Sequence, residues 1–104
     1  MNLWLDDIRP MPEGFDYWAK TAQDTIFMID YGNVEYISFD HDLGCSDGNT
    51  GYTVASHIEK LAFLGEIEQI DYDIHSANPE GRKNIQMAMT SAERFWNERI
   101  NNNE

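Results

Sequence analysis

Asp6 and Asp7, then Asp40 and Asp42, then His75, Ser76, Asn78 and Arg82 have the types and spacing that phosphate chemistry needs. Each group closes or follows a short apolar run, in the strings Leu3-Trp4-Leu5-Asp6-Asp7, Phe39-Asp40-His41-Asp42-Leu43-Gly44 and Ile74-His75-Ser76-Ala77-Asn78-Pro79-Glu80-Gly81-Arg82, with Thr50-Gly51-Tyr52 between the last two. Apolar strands of a parallel sheet end this way at their carboxyl edge, where α/β proteins bind ligands. Carboxylates gathered there repel: two unit charges about 4 Å apart cost roughly 1 kcal/mol in water and about 4 kcal/mol at an effective dielectric near 20. A cation or a shared proton relieves that cost. Oxygen donors without a cysteine or multi-histidine set suit Mg²⁺ or Mn²⁺ better than zinc. Asp6, Asp7, Asp40 and Asp42 are therefore the expected metal ligands; the plain alternative is that they cap loops and face solvent.

His75, at the end of an apolar run, is a candidate general acid or base or a phosphate contact. Its alternative is a half-buried structural histidine. Ser76 can hydrogen-bond a phosphoryl oxygen, and Asn78 leads into a helix N-terminus whose amides bind anions. Arg82, one turn further, offers a fork of donors to a phosphate, or else makes a surface ion pair. His41 is open between a site role and the opposite face of its strand. His57 is expected to face solvent, Cys45 to be an ordinary loop residue, and Trp4, Phe39, Phe95 and Trp96 to be core.

Strands alternating with helices must position these groups. Residues 2–5 read as a first buried strand and Tyr17–Thr21 as a short second one. Pro10, Pro12 and Gly14 make the segment between them a loop where a crossover helix would usually sit. Thr21-Ala22-Gln23-Asp24 resembles a capping box for a helix over 22–31, ended by Gly32 as a left-handed cap. Val34–Phe39 is rich in β-branched and aromatic residues and reads as the third strand. A second helix over 52–64 carries Val54, Ala55, Ile58, Leu61 and Ala62 on one face and ends at Gly65. Ile67–Ser76 holds the fourth strand, in its later half. Asn78-Pro79 starts the last helix, which turns Ile85, Ala88, Met89, Ala92, Phe95 and Trp96 to the core and runs to about Arg99. The expected fold is a three-layer α/β domain over residues 1–100, with a mostly parallel sheet and a frayed tail at 101–104.

The chain has 104 residues, enough for one core but not two. Its balance of 7 Lys+Arg against 19 Asp+Glu, net −12, repels nucleic-acid backbones and argues against extended nucleic-acid binding. A small phosphorylated ligand stays compatible, because a divalent ion reverses the charge locally. No run reaches the roughly 18–20 apolar residues of a membrane span, and the start lacks a basic stretch, so a cytoplasmic protein is expected. A single cysteine excludes an internal disulfide and fits a reducing compartment.

Leu-Asp-Asp near the start, Asp40 ending a middle strand and Ser76-Ala77 ending a later one are similar to the phosphoacceptor pocket of response-regulator receiver domains. That resemblance implies a metal-binding pair in Asp6 and Asp7, a phosphoacceptor in Asp40 and a switch hydroxyl in Ser76. A receiver also has a fifth strand ending in a pocket lysine; Lys20, Lys60 and Lys83 end no such strand. The chain more closely resembles the cyclic-phosphate processing receiver domain family. The resemblance is carried by Leu3-Trp4-Leu5-Asp6-Asp7-Ile8-Arg9-Pro10, Ile37-Ser38-Phe39-Asp40-His41-Asp42-Leu43-Gly44, Thr50-Gly51-Tyr52 and His75-Ser76-Ala77-Asn78-Pro79-Glu80-Gly81-Arg82. It implies a receiver-like (flavodoxin-like) sheet in the order 2-1-3-4, truncated after the fourth strand, and action on cyclic phosphates.

The leading expectation is a metal-dependent phosphoesterase for 2′,3′-cyclic phosphate ends of RNA or for cyclic nucleotides. In it the four aspartates hold Mg²⁺ or Mn²⁺, His75 donates a proton, and Ser76, Asn78 and Arg82 orient the phosphate. The alternatives are an atypical receiver phosphorylated on Asp40, a non-catalytic cyclic-nucleotide binder, and an acidic decoy for a nucleic-acid-binding protein. An open edge on the fourth strand makes a homodimer a further expectation.

Overall fold

A computed structural model describes residues 1–102. They form β1 (Asn2–Leu5), β2 (Tyr17–Ala19), α1 (Ala22–Tyr31), β3 (Tyr36–Phe39), α2 (Gly51–Leu64), β4 (Asp71–Ile74) and α3 (Pro79–Asn102). The strands make one parallel sheet in the order β2-β1-β3-β4.

Period-two alternation divides the sheet into two unlike faces. Leu3, Leu5, Ala19, Ile37 and Phe39 point to one side and are fully buried, in a single cluster with Val54, Ala55 and Ile58 of α2 and Ile85, Met89 and Ala92 of α3. Burying each large apolar side chain contributes about 1.5–3 kcal/mol, so this cluster dominates the fold's stability. The β2–β3 and β3–β4 connections advance in the same direction, and right-handed crossovers therefore carry α1 and α2 over that same face. α3 packs along α2.

The β1–β2 connection runs the other way, over the second face, and contains no helix. Pro10 and Pro12 cannot donate helical hydrogen bonds, and Gly14 takes a φ of 93°. The layer on this side is the 6–16 segment itself. Trp4 Nε1 donates to Arg9 O at 2.9 Å, and Phe15 packs edge-on against the Trp4 ring at 5.2 Å. Trp4 therefore belongs to the second face rather than to the main core.

Caps set most helix boundaries. Thr21 Oγ1 accepts from Asp24 N–H at 3.0 Å. Thr50 and Thr53 form a reciprocal capping box, so α2 begins at Gly51, one residue before the expected start. Gly65 ends α2 in the left-handed conformation. Gly32 does not: its backbone is extended (φ −97°), and crowding requires glycine there, because a Cβ would lie 2.4 Å from Met28 O. β3 and β4 are shorter than the apolar runs that contain them. α3 continues to Asn102, past the expected end near Arg99. Arg99 Nη1 and Nη2 donate to Ala62 O and Phe63 O at 2.6 and 3.0 Å, which ties its last turns to the end of α2. Residues 103 and 104 of the expected tail lie outside the described residues. Among the described residues, no helix is long and apolar enough to cross a membrane.

Candidate functional site

The strand register builds the site. Leu5 pairs with Phe39, and Phe39 with Ile74, across the three central strands. The next residue on each strand is Asp6, Asp40 and His75. Ladder bonds continue one step into them, from Asp40 N–H to Leu5 O and from His75 N–H to Phe39 O, both at 2.9 Å. The two carboxylates and the imidazole thus arrive side by side at the carboxyl edge, with ligand atoms all within 4.8 Å of one another. Asp6 and Asp40 are buried, and His75 is half-buried.

The two carboxylates have different surroundings. Asp6 Oδ1 accepts from the Ile8 and Arg9 backbone N–H groups, both at 2.8 Å, and Oδ2 faces His75 Nε2 at 3.0 Å. Burial alone would push Asp6 up, but those two amides and His75 outweigh it and hold the carboxyl below its ordinary value. Asp40 has one amide, His41 N–H at 2.8 Å. Burial, and then the charge of Asp6, push Asp40 above the ordinary carboxylate value.

His75 is held on three sides. Its ring lies on the Trp4 indole with centroids 3.9 Å apart and planes 5° from parallel. Nδ1 sits 2.8 Å from Ser38 Oγ, and Nε2 meets Asp6. Trp4, Ser38, Asp6 and Asp40 share a side of the sheet by strand alternation, which is why His75 finds them together. Arg9 lies next to this group. Its Nη1 donates to His75 O at 2.8 Å, its Nε stands 4.0 Å from Asp6 Oδ2, and its side chain is half exposed.

The other expected site residues go elsewhere. Asp7 lies outside the trio, and its carboxylate rests against Gly44, where a Cβ would come within 3.1 Å of Oδ2. Asp42 is exposed and bonded to His41 Nδ1 at 2.8 Å, with Asn78 Nδ2 donating to it at 3.3 and 3.4 Å. These contacts, His41 first, lower the Asp42 carboxyl. The His41 ring packs onto the first turn of α3, where a Cβ on Gly81 would reach it at 2.3 Å. Ser76 Oγ accepts from Asn78 N–H at 3.1 Å, and Asn78 Oδ1 accepts from Gly81 N–H at 3.0 Å, so both residues start α3. Arg82 Nη1 donates to Ile74 O and Ser76 O at 2.9 and 3.0 Å, tying the end of β4 to that helix. His57 is paired with Asp30 at 2.8 Å between α2 and α1.

Sequence reasoning assigned no site role to Arg9 or Ser38 and placed Trp4 in the core. For Ser38 and Trp4 the signal was present: each stands two residues before a site aspartate, hence on the same strand face. For Arg9 it was a cation three residues after Asp6 in a chain poor in cations.

A four-stranded parallel sheet in the order 2-1-3-4, with an acidic pair at adjoining strand ends, defines a receiver-like α/β domain. The model of one family, the cyclic-phosphate processing receiver domain, matches residues 1–91, and the chain belongs to that family. No curated protein and no solved structure matches it.

Proposed function

We propose that this domain is a divalent-metal-dependent phosphoesterase for cyclic phosphates, either 2′,3′-cyclic phosphate ends of RNA or cyclic nucleotides. The observation that carries this reading is the trio itself: two buried carboxylates and an imidazole nitrogen within 4.8 Å. Like charges so close, in a site where burial and Asp6 disfavour the ionised form of Asp40, favour a bound cation between the carboxylates. The two carboxylates are hard oxygen donors that fit Mg²⁺ or Mn²⁺, and His75, its nitrogens turned to Ser38 and Asp6, stays outside the donor set. Asp6 and Asp40 would hold the ion. Asp42 stays in its surface network, and Asp7 carries no role in the trio.

When bound, such an ion supplies an acidified water and neutralises phosphate charge. The chain's own groups do the rest. Arg9, half exposed beside the trio, has N–H donors left over after its bond to His75 O and is the phosphate contact. Arg82 gives its Nη1 hydrogens to two backbone carbonyls at the end of β4, and its part in this reading is to tie that strand to α3. His75 Nε2 gives its proton to the leaving alkoxide as the ester P–O bond breaks.

The test is incubation with Mg²⁺ or Mn²⁺ and a panel of 2′,3′- and 3′,5′-cyclic nucleotides and an RNA bearing a 2′,3′-cyclic phosphate. Metal-dependent ring opening that is lost in Asp40→Asn and His75→Ala is the expected result. No turnover, or turnover undiminished in both variants, overturns the proposal. Intact-mass analysis after acetyl phosphate treatment checks the rival in which Asp40 is phosphorylated.

A further inference from the structure

We infer that Ser38 is a positioning residue for His75, fixing through Nδ1 which ring nitrogen faces the reacting phosphate. The inference rests on the phosphoesterase reading for its chemistry and on the geometry of Trp4, Ser38, His75 and Asp6 for its structure.

Trp4 fixes the plane of the His75 ring by stacking at 3.9 Å. Stacking does not fix the ring's orientation within that plane. A half-turn about Cβ–Cγ would bring carbon Cδ2 to Ser38 and carbon Cε1 to Asp6 while leaving the stack intact. Hydrogen bonds decide between the two orientations, and there are two of them: Nδ1 to Ser38 Oγ at 2.8 Å and Nε2 to Asp6 Oδ2 at 3.0 Å. The second is given up when Nε2 turns its proton to a leaving oxygen. The bond to Ser38 is the one that persists through that step.

A serine hydroxyl suits this place because it both donates and accepts. With His75 neutral and its proton on Nε2, Ser38 donates to Nδ1. With the ring doubly protonated, Nδ1–H donates to Ser38. In proton transfer the electron pair of the breaking P–O bond goes to the ester oxygen, which takes the Nε2 proton. The ring is left neutral with Nδ1–H still on Ser38. An orienting carboxylate does the same for the histidine of a hydrolase triad, with a full charge where this site has a neutral hydroxyl. Ser38 is not itself a nucleophile here: it is buried, at 4% exposure, with its hydroxyl on Nδ1.

The experiment compares wild type with Ser38→Ala and Ser38→Thr, reading ring-nitrogen NMR shifts of His75, steady-state kinetics and Mn²⁺ affinity. In Ser38→Ala the Nδ1 resonance is expected to move and kcat to fall by about ten- to a hundredfold, part of what general acid catalysis supplies. KM and Mn²⁺ affinity should stay within about twofold, since the variant leaves both carboxylates in place. Ser38→Thr keeps the hydroxyl and should restore the Nδ1 shift and most of kcat. Unchanged His75 nitrogen shifts in Ser38→Ala overturn the inference whatever the activity. So does a loss that appears in KM or metal affinity rather than kcat. If wild type turns nothing over while the Nδ1 shift still responds to Ser38→Ala, the phosphoesterase reading fails and the positioning stands.

Discussion

Asp40→Asn should make the metal-free protein more stable. Asp6 and Asp40 place carboxylate oxygens within 4.8 Å of each other, and two charges at that separation repel by about 3.5 kcal/mol at an effective dielectric near 20. His75 and Arg9 offset part of this. A net gain of about 1–2 kcal/mol is therefore expected for the amide, or roughly 5–10 °C in Tm for a domain of this size. The substitution keeps an Oδ1 acceptor for the His41 N–H, so no hydrogen bond is lost. The assay is urea unfolding at pH 7 in EDTA. Asp40, being raised, contributes stability that is fully present below its unfolded-state pKa and is lost as pH rises through the folded value. The advantage of the variant must therefore shrink as the pH is lowered towards 4. Asp6, being lowered, works in the opposite sense: its contribution is present above the ordinary carboxylate value and fades as pH falls through its folded value. Added Mg²⁺ or Mn²⁺ should reverse the ranking, because an ion at roughly a hundred times its Kd stabilises the wild type by about 2.7 kcal/mol and the variant by less. An Asp40→Asn protein that is less stable than wild type in EDTA, or that gains equally from metal, refutes the reasoning.

Arg82→Ala removes two charge-assisted bonds to the carbonyls of Ile74 and Ser76. It should cost about 1–2 kcal/mol in urea unfolding with KM little changed; unaltered stability with a raised KM would restore Arg82 to phosphate binding. Gly51→Ala puts a Cβ 1.9 Å from the Asp40 carbonyl oxygen, so the junction of β3 and α2 must move. A loss of more than about 2 kcal/mol and of the metal-induced rise in Tm should appear together; a Tm within 1–2 °C of wild type would mean the junction gives way easily.

The order of the sheet was legible through the family resemblance; given that order, the meeting of Asp6, Asp40 and His75 follows from where the apolar runs stop. Each trio residue is the first polar group after Leu5, Phe39 or Ile74, and in-register parallel strands put such residues level. Asp42 and Arg82 were less legible. Nothing in the string shows that Asp42 turns to His41 and Asn78, or that Arg82 reaches back to two carbonyls at the end of β4. Those choices depend on how α3 docks, which a local pattern does not encode. Gly32 shows the same limit: glycine was read as a left-handed cap, whereas the backbone is extended and the need for glycine comes from Met28 O.

The 6–16 segment explains why two neighbouring carboxylates differ. It takes the place of a crossover helix, and its first turn aims the Ile8 and Arg9 amides at Asp6 Oδ1. Asp6 is thereby held ionised, and its charge, together with burial, drives Asp40 the other way. Environments that split a pair of titratable groups assign them different tasks. Asp6 becomes the fixed negative charge, anchored by backbone that cannot titrate. Asp40 becomes the member whose ionised form is disfavoured, and the one at which the proposed ion would relieve most charge. The same segment then places the Arg9 guanidinium beside both.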